Sequence, residues 1–223
     1  MSYPHYSIIY KEMVNLKRYS LPLLILLMGV LYIFFIPSDP MFIKIIFKLI
    51  PMWLIIWFGV LQFPTNKSPI HWLLLSGLFC CMLGDGLLHW FIIGLSAFLI
   101  GHLFYTAGFL TRWTFSTIRF LTILPISLFA FFIGNQLITA LIQEGNKLFI
   151  LPVLLYIIII SLMAWAAIMT GNRWAAYGSL LFVLSDSILS WNMFIHPISF
   201  SGPLIMITYY SAQFLIARSI QTI

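Results

Sequence analysis

Two aspartates lie inside hydrophobic segments of the chain, in similar sequence surroundings. Asp85 lies in SGLFCCMLGDGLLHW (76–90), and Asp186 lies in GSLLFVLSDSILSW (178–191). A carboxylate at the centre of a membrane helix costs at least about 2.5 kcal/mol on insertion scales. Because the whole chain has only five acidic residues, two in such positions indicate a functional site.

The chemistry open to two such carboxyl groups is proton transfer. In an apolar cavity, loss of solvation and mutual repulsion keep the two groups from ionising together, so one stays protonated as an acid and the other serves as a base. Such a pair suits the cleavage of bonds through an oxocarbenium-like transition state. Two alternatives stay open from the residues alone: hydrogen bonds between packed helices, and a proton relay in a transporter.

Other polar residues lie in the middle of hydrophobic segments and could line the same cavity. His102 and Tyr105 share a helical face, as do Tyr209 and Gln213, while Tyr210 points elsewhere. His102 could donate a hydrogen bond to a carboxylate or a substrate oxygen, or it could be a buried histidine bonded to a neighbouring carbonyl. The candidate substrate-binding residues are Lys48, His102, Tyr105, Ser185, Tyr209, Tyr210 and Gln213.

Membrane helices must position these residues. The chain of 223 residues is 62% hydrophobic and 7% charged, whereas a soluble domain carries about 25% charged residues. Apolar segments of about 20 residues predict a single all-α, polytopic membrane domain over 1–223, with eight transmembrane helices. Their bounds are 20–36, 45–63, 70–89, 92–111, 118–139, 148–169, 174–194 and 201–219.

The basic residues predict how these helices are oriented. Eight helices put both termini on one side, which receives eight basic residues, while Lys44, Lys48 and Lys147 fall on the other. Because positive residues favour the cytoplasmic side, we expect both termini there. Lys48, against this bias, could hold a lipid phosphate, or it could extend from a helix end to the headgroups. The net charge of +6 is explained by this pattern, and no nucleic-acid partner is expected.

The two halves of the chain resemble each other. A shift of 101 residues aligns Gly77 with Gly178, Asp85 with Asp186, and Trp90 with Trp191. A shift of 105 aligns YTAGFL (105–110) with YSAQFL (210–215). These matches predict a duplicated four-helix unit, with parallel halves at 20–111 and 118–219 related by an axis along the membrane normal. Such an axis would place Asp85 opposite Asp186; the alternative is chance similarity between apolar segments.

Several other site classes are not indicated by the sequence. The five histidines form no short paired spacing such as HxxxH, and zinc sites usually need three or four clustered ligands, so we predict neither a metal nor a cofactor. Ser185 has no G-x-S-x-G motif around it. The chain also lacks a Gly-rich phosphate loop.

The sequence resembles the lysoplasmalogenase (YhhN-like) family of eight-span membrane hydrolases. The matching segments lie in the second to fourth and the seventh to eighth predicted helices. They are KLIPM (48–52), GLFCCMLGD (77–85), GLSAFLIGHLFY (94–105), GSLLFVLSD (178–186) and TYYSAQFL (208–215). Many relatives have proline directly after the lysine of the first segment, where this chain has Leu49.

The resemblance implies hydrolysis of the vinyl ether bond of lysoplasmalogens, which releases a fatty aldehyde and a glycerophospho-ethanolamine or -choline. It implies that Asp85 and Asp186 are the catalytic pair, that a lysophospholipid among membrane lipids is the substrate, and that no cofactor is required. We expect a bacterial cytoplasmic membrane as its location. Headgroup preference, oligomeric state and the choice of acid between the aspartates stay open. The alternatives are a proton-coupled transporter, a lipid-binding membrane protein, and a metal-dependent ceramidase-like amidase.

Overall fold

The computed structural model describes residues 20–223, and within this range the chain is helical, without strands. The α-helices are α1 (Ser20–Phe34), α2 (Met41–Leu61), α3 (Pro69–Leu87), α4 (Phe91–Leu110), α5 (Thr117–Leu121), α6 (Ile123–Gln143), α7 (Ile150–Met169), α8 (Arg173–Phe194) and α9 (Ser201–Ser219). A 3₁₀ turn (Lys147–Phe149) precedes α7. The N-terminal basic residues Lys11, Lys17 and Arg18, which were assigned to the cytoplasmic side, lie outside the described residues.

Helices occupy the apolar segments predicted from the sequence, and the segment at 118–139 is divided between α5 and α6. Five helices of the described chain are long and apolar enough to cross a membrane: Met41–Leu61, Pro69–Leu87, Phe91–Leu110, Thr117–Gln143 and Lys147–Met169. α8 and α9 have spanning length but are less apolar, and α1 (Ser20–Phe34) is shorter. The protein is therefore an integral, multi-pass membrane protein.

Glycines with positive φ lie in two of the turns between helices. Gly145 and Gly171 have positive φ angles of 76° and 74°, a conformation that glycine adopts without a side-chain penalty. After Gly171, the side chain of Asn172 accepts hydrogen bonds from the backbone N–H groups of Trp174 and Ala175. This N-cap satisfies donors that the first turn of α8 would otherwise leave unpaired.

Two helix pairs, α3 with α4 and α8 with α9, form the most extensive contacts of the described bundle. Glycines permit both close approaches. A Cβ at Gly77 would run into the Tyr105 ring, and one at Gly178 would lie 2.9 Å from the side chain of Ile216. Small residues at helix crossings are typical of membrane bundles, where close backbone approach replaces the hydrophobic driving force. α4 also packs on α7, and α2 packs on α9, which joins the two pairs.

Basic residues gather at one end of the bundle. Arg112 follows α4, and its guanidinium lies 3.5 Å from the hydroxyl of Ser68 before α3. Arg173 and Arg218 lie over the Trp174 ring, 4.8 and 4.5 Å from its centroid. Arg112, Arg173 and Trp174 line one pocket, so three arginines that the sequence assigns to one side of the membrane lie close together. The orientation of this end towards the cytoplasm stays a prediction.

Candidate functional site

Asp85 lies near the C-terminal end of α3, in a buried polar cluster, and is 5% exposed. Lys48 of α2 places its Nζ 2.9 Å from Oδ1 of Asp85. Tyr209 of α9 donates its hydroxyl hydrogen to Oδ2 of the same carboxylate at 2.6 Å. The ammonium group and the hydroxyl compensate a carboxylate that has lost its solvent.

A second tyrosine of α9 supports this cluster from the backbone side. Tyr210 donates its hydroxyl hydrogen to the backbone carbonyl of Lys48 at 2.8 Å. Because Tyr209 and Tyr210 are adjacent, one reaches the carboxylate on α3 and the other reaches α2. Lys48 is thereby held from two directions, and the direct partner of its ammonium group is Asp85. Binding of a lipid phosphate by Lys48 stays a prediction.

Asp186 of α8 has a different set of partners. Tyr156 of α7 donates its hydroxyl hydrogen to Oδ2 of Asp186. His102 of α4 is fully buried, and its Nε2 lies 2.8 Å from the Tyr156 hydroxyl and 3.7 Å from Oδ2 of Asp186. This placement agrees with the expectation that His102 lies near a carboxylate.

The Asp186 side chain is 16% exposed, and it lines an apolar cleft between α4, α6, α7 and α8. Tyr156 lines the same cleft. The walls are mostly aliphatic and aromatic, and they include Leu95, Phe98, Ile133, Leu137, Ile157 and Val183. A carboxyl group and a phenol therefore face a predominantly apolar space.

Two phenylalanines lie between the polar clusters around the aspartates. The ring centroid of Phe182 lies 5.4 Å from that of Tyr209 and 4.6 Å from that of His102. Phe98 packs against the same tyrosine, at 6.1 Å. Among the described contacts the two carboxyl groups share no hydrogen bond, and each has its own partners.

The remaining predicted site residues join helices in the described structure. Tyr105 of α4 donates its hydroxyl hydrogen to Oε1 of Gln213 on α9 at 2.7 Å, and both residues are fully buried. Ser185 donates to the backbone carbonyl of Ile205 at 3.0 Å, which ties α8 to α9. Substrate contacts by Tyr105, Ser185 and Gln213 stay predictions.

Tyr156 is the site residue that sequence reasoning missed. It lies in LPVLLYIIII (151–160), in a helix of high apolar content, and it belongs to no segment that resembles the family. The signal was nevertheless present, because Tyr156 is the one tyrosine of α7 and lies within the helix. The same criterion singled out His102, its partner in the structure.

Comparisons with known proteins agree with the resemblance. The sequence profile of the YhhN family matches residues 43–220. Lysoplasmalogenase TMEM86B of Mus musculus is 30% identical over 210 residues, which cover 92% of this chain and 87% of the relative. TMEM86B of Homo sapiens is 33% identical over 72% of this chain and 69% of its own length. Lysoplasmalogenase TMEM86A of Bos taurus is 30% identical over 85% of this chain and 83% of its own length. No solved structure gives a significant match.

Proposed function

We propose that this chain, which belongs to the YhhN family, hydrolyses the vinyl ether bond of lysoplasmalogens. The observation that carries the proposal is the carboxyl group of Asp186 at an apolar cleft, in a protein whose relatives are named lysoplasmalogenases. The products would be a fatty aldehyde and a glycerophospho-ethanolamine or -choline.

The reaction needs an acid and a base at the alkene. Proton transfer to the β-carbon turns the vinyl ether into an oxocarbenium ion, and water then adds to the α-carbon. The resulting hemiacetal transfers a proton to the ether oxygen and separates into aldehyde and alcohol. A protonated aspartic acid can supply the first proton, while a carboxylate stabilises the cation and accepts a proton from water. We assign these two roles to Asp85 and Asp186.

The cleft beside Asp186 is the proposed site of the alkenyl chain. Its walls come from four helices and bring aliphatic and aromatic side chains to a carboxyl group. Because lipid tails are as apolar as these side chains, the fit of the chain to the walls would govern its binding from the membrane. Lys48 is the proposed contact for the phosphate, because an ammonium group has three donors and Oδ1 of Asp85 accepts only one of them.

We further infer eight transmembrane helices arranged as two four-helix repeats, with halves at 20–111 and 118–219. The packing supports this arrangement, because α2–α3–α4 pack in sequence as α7–α8–α9 do, and α4 contacts α7 as α9 contacts α2. The partners of the two aspartates show the same correspondence between helices. Asp85 is contacted from α2 and α9, and Asp186 is contacted from the equivalent helices α7 and α4.

The direct test is aldehyde release by the purified protein. Incubation with lysoplasmenylethanolamine in detergent or vesicles should yield one aldehyde for each glycerophosphoethanolamine formed. A folded preparation that releases no aldehyde, but takes up protons and a solute into vesicles, would replace this proposal with the transporter.

A further inference from the structure

We propose that Asp186 is the proton donor of this reaction and that Tyr156 is the residue that positions its carboxyl group. The inference rests on the proposed function and extends it to the separate tasks of the two aspartates. The sequence leaves the choice of acid open, and Tyr156 belongs to none of the matching segments.

Access to the substrate favours Asp186. The proton must reach a carbon atom of the hydrocarbon chain, so the donor must face the space in which that chain lies. Asp186 lines the apolar cleft together with Tyr156. Asp85, whose side chain is 3% exposed, is not among the residues that line this cleft. Phe98 and Phe182 lie between the two clusters.

Charge also distinguishes the two groups. A donor must carry its proton when the substrate binds. The Asp85 carboxyl group lies 2.9 Å from the Lys48 ammonium group, and a positive charge at this distance favours the ionised form of the carboxyl group, against the effect of its burial. The described contacts of Asp186 are with a phenol and an imidazole, so no lysine or arginine in residues 20–223 pairs with it.

Tyr156 fixes which oxygen of Asp186 faces the substrate. Its hydroxyl group binds Oδ2, and His102 Nε2 lies near the same oxygen. Since these described contacts fall on Oδ2, Oδ1 is the oxygen that can carry the proton towards the alkene. When the proton forms the new C–H bond at the β-carbon, the electron pair of the O–H bond stays on Asp186. The hydroxyl group of Tyr156 then stabilises the resulting carboxylate.

The structure offers a matched pair of variants, because each aspartate accepts a hydrogen bond from a different tyrosine hydroxyl. Tyr156→Phe removes the hydroxyl group from Asp186, and Tyr209→Phe removes the one from Asp85. The readout is kcat against pH, whose decline at high pH reports loss of the acid in the enzyme–substrate complex. Without the hydrogen bond to its carboxylate form, a donor keeps its proton to a higher pH.

We expect Tyr156→Phe to move this decline upward by about one pH unit or more, with kcat lowered about tenfold and KM nearly unchanged. Tyr209→Phe should leave the position of the decline where the wild type has it, whatever it does to kcat. The assignment is wrong if the decline moves with Tyr209→Phe, whether or not it also moves with Tyr156→Phe. It is also wrong if the decline moves with neither variant. Wild-type protein that releases no aldehyde at any pH instead overturns the proposed function, so the two failures are distinct.

Discussion

At the scale of single residues, the two aspartates are held by different chemistry. Asp85 has an ammonium group and a phenol as partners, and it is buried within the bundle. Asp186 has a phenol and an imidazole, and it borders an apolar cleft. Different surroundings are what divide acid and base roles between two carboxyl groups. The expectation that both aspartates are catalytic can therefore be tested one residue at a time.

Replacement of either aspartate by asparagine should remove most of the activity. Asp85→Asn and Asp186→Asn each keep the side-chain shape but lose the proton-transfer group, which usually costs about 10²–10⁴-fold in rate. The measurement is aldehyde release at equal amounts of folded protein, with folding checked by thermal melting. Turnover within a factor of a few of the wild type would remove the altered residue from the mechanism.

Lys48→Ala should destabilise the protein as well as slow it. The change leaves Asp85 buried without its ammonium partner, and loss of one member of a buried pair costs about 3–5 kcal/mol. Thermal melting should therefore show a lower Tm for Lys48→Ala and partial recovery in the double variant Lys48→Ala/Asp85→Asn.

Lys44→Ala is the matched control, since Lys44 precedes Lys48 by one turn of α2 and contacts the exposed hydroxyl of Ser38. Its Tm should stay near that of the wild type. If Lys48→Ala raises KM but leaves both kcat and Tm unchanged, the lysine serves the lipid phosphate rather than Asp85.

At the scale of helices, α8 and α9 are less apolar than the other long helices because they contain more polar residues. Several of these residues contact other helices inside the bundle. Ser185 and Gln213 join helices, and Tyr209 reaches Asp85. α6 and α7 contribute mostly apolar side chains and form one wall of the cleft. Tyr156 of α7 and Asp186 of α8 belong to the same cleft, so the proposed proton donor and the apolar walls meet there.

Narrowing of the cleft should select against long chains. Ala130 of α6 lines the cleft, and Ala130→Phe would occupy space for several methylene groups. For a substrate presented as monomers in water, each CH₂ is worth about 0.8 kcal/mol, so exclusion of two lowers kcat/KM by about tenfold. Activity on an 18-carbon alkenyl substrate should fall by at least this factor relative to a short-chain one. Leu128→Phe, at a 71% exposed position of the same helix, should leave that ratio unchanged. Equal losses on both chain lengths would place the chain elsewhere.

The positions of helices and turns could be predicted from the sequence because they depend on local patterns. Hydropathy located the segments, and the glycines in the positive-φ turns, Gly145 and Gly171, are a local signal of the same kind. Asp85 and Asp186 stood out because charge is rare in apolar segments. The ion pair of Lys48 with Asp85 could not be predicted, since it depends on how α2 and α3 pack.

At the scale of the whole molecule, the helices are arranged so that each aspartate receives contacts from both halves of the chain. Tyr209 of the second half reaches Asp85, and His102 of the first half approaches Asp186. Neither half of the chain supplies all the contacts of its own aspartate. Duplication of a four-helix unit would explain this exchange, and it would also explain why the two sites use equivalent helices but different residues.

The most direct test of the central claim is a comparison of three lysolipids on one preparation, with the reaction run in D₂O. The vinyl ether lipid should be cleaved, and its aldehyde should carry one deuterium on the carbon next to the carbonyl, because the proton is delivered to the β-carbon. The saturated ether lipid has no alkene that can accept a proton at this position and should act as a competitive inhibitor, while the ester lipid should not be cleaved. Cleavage of the ester as fast as the vinyl ether, or aldehyde without deuterium, would contradict acid catalysis by the aspartates.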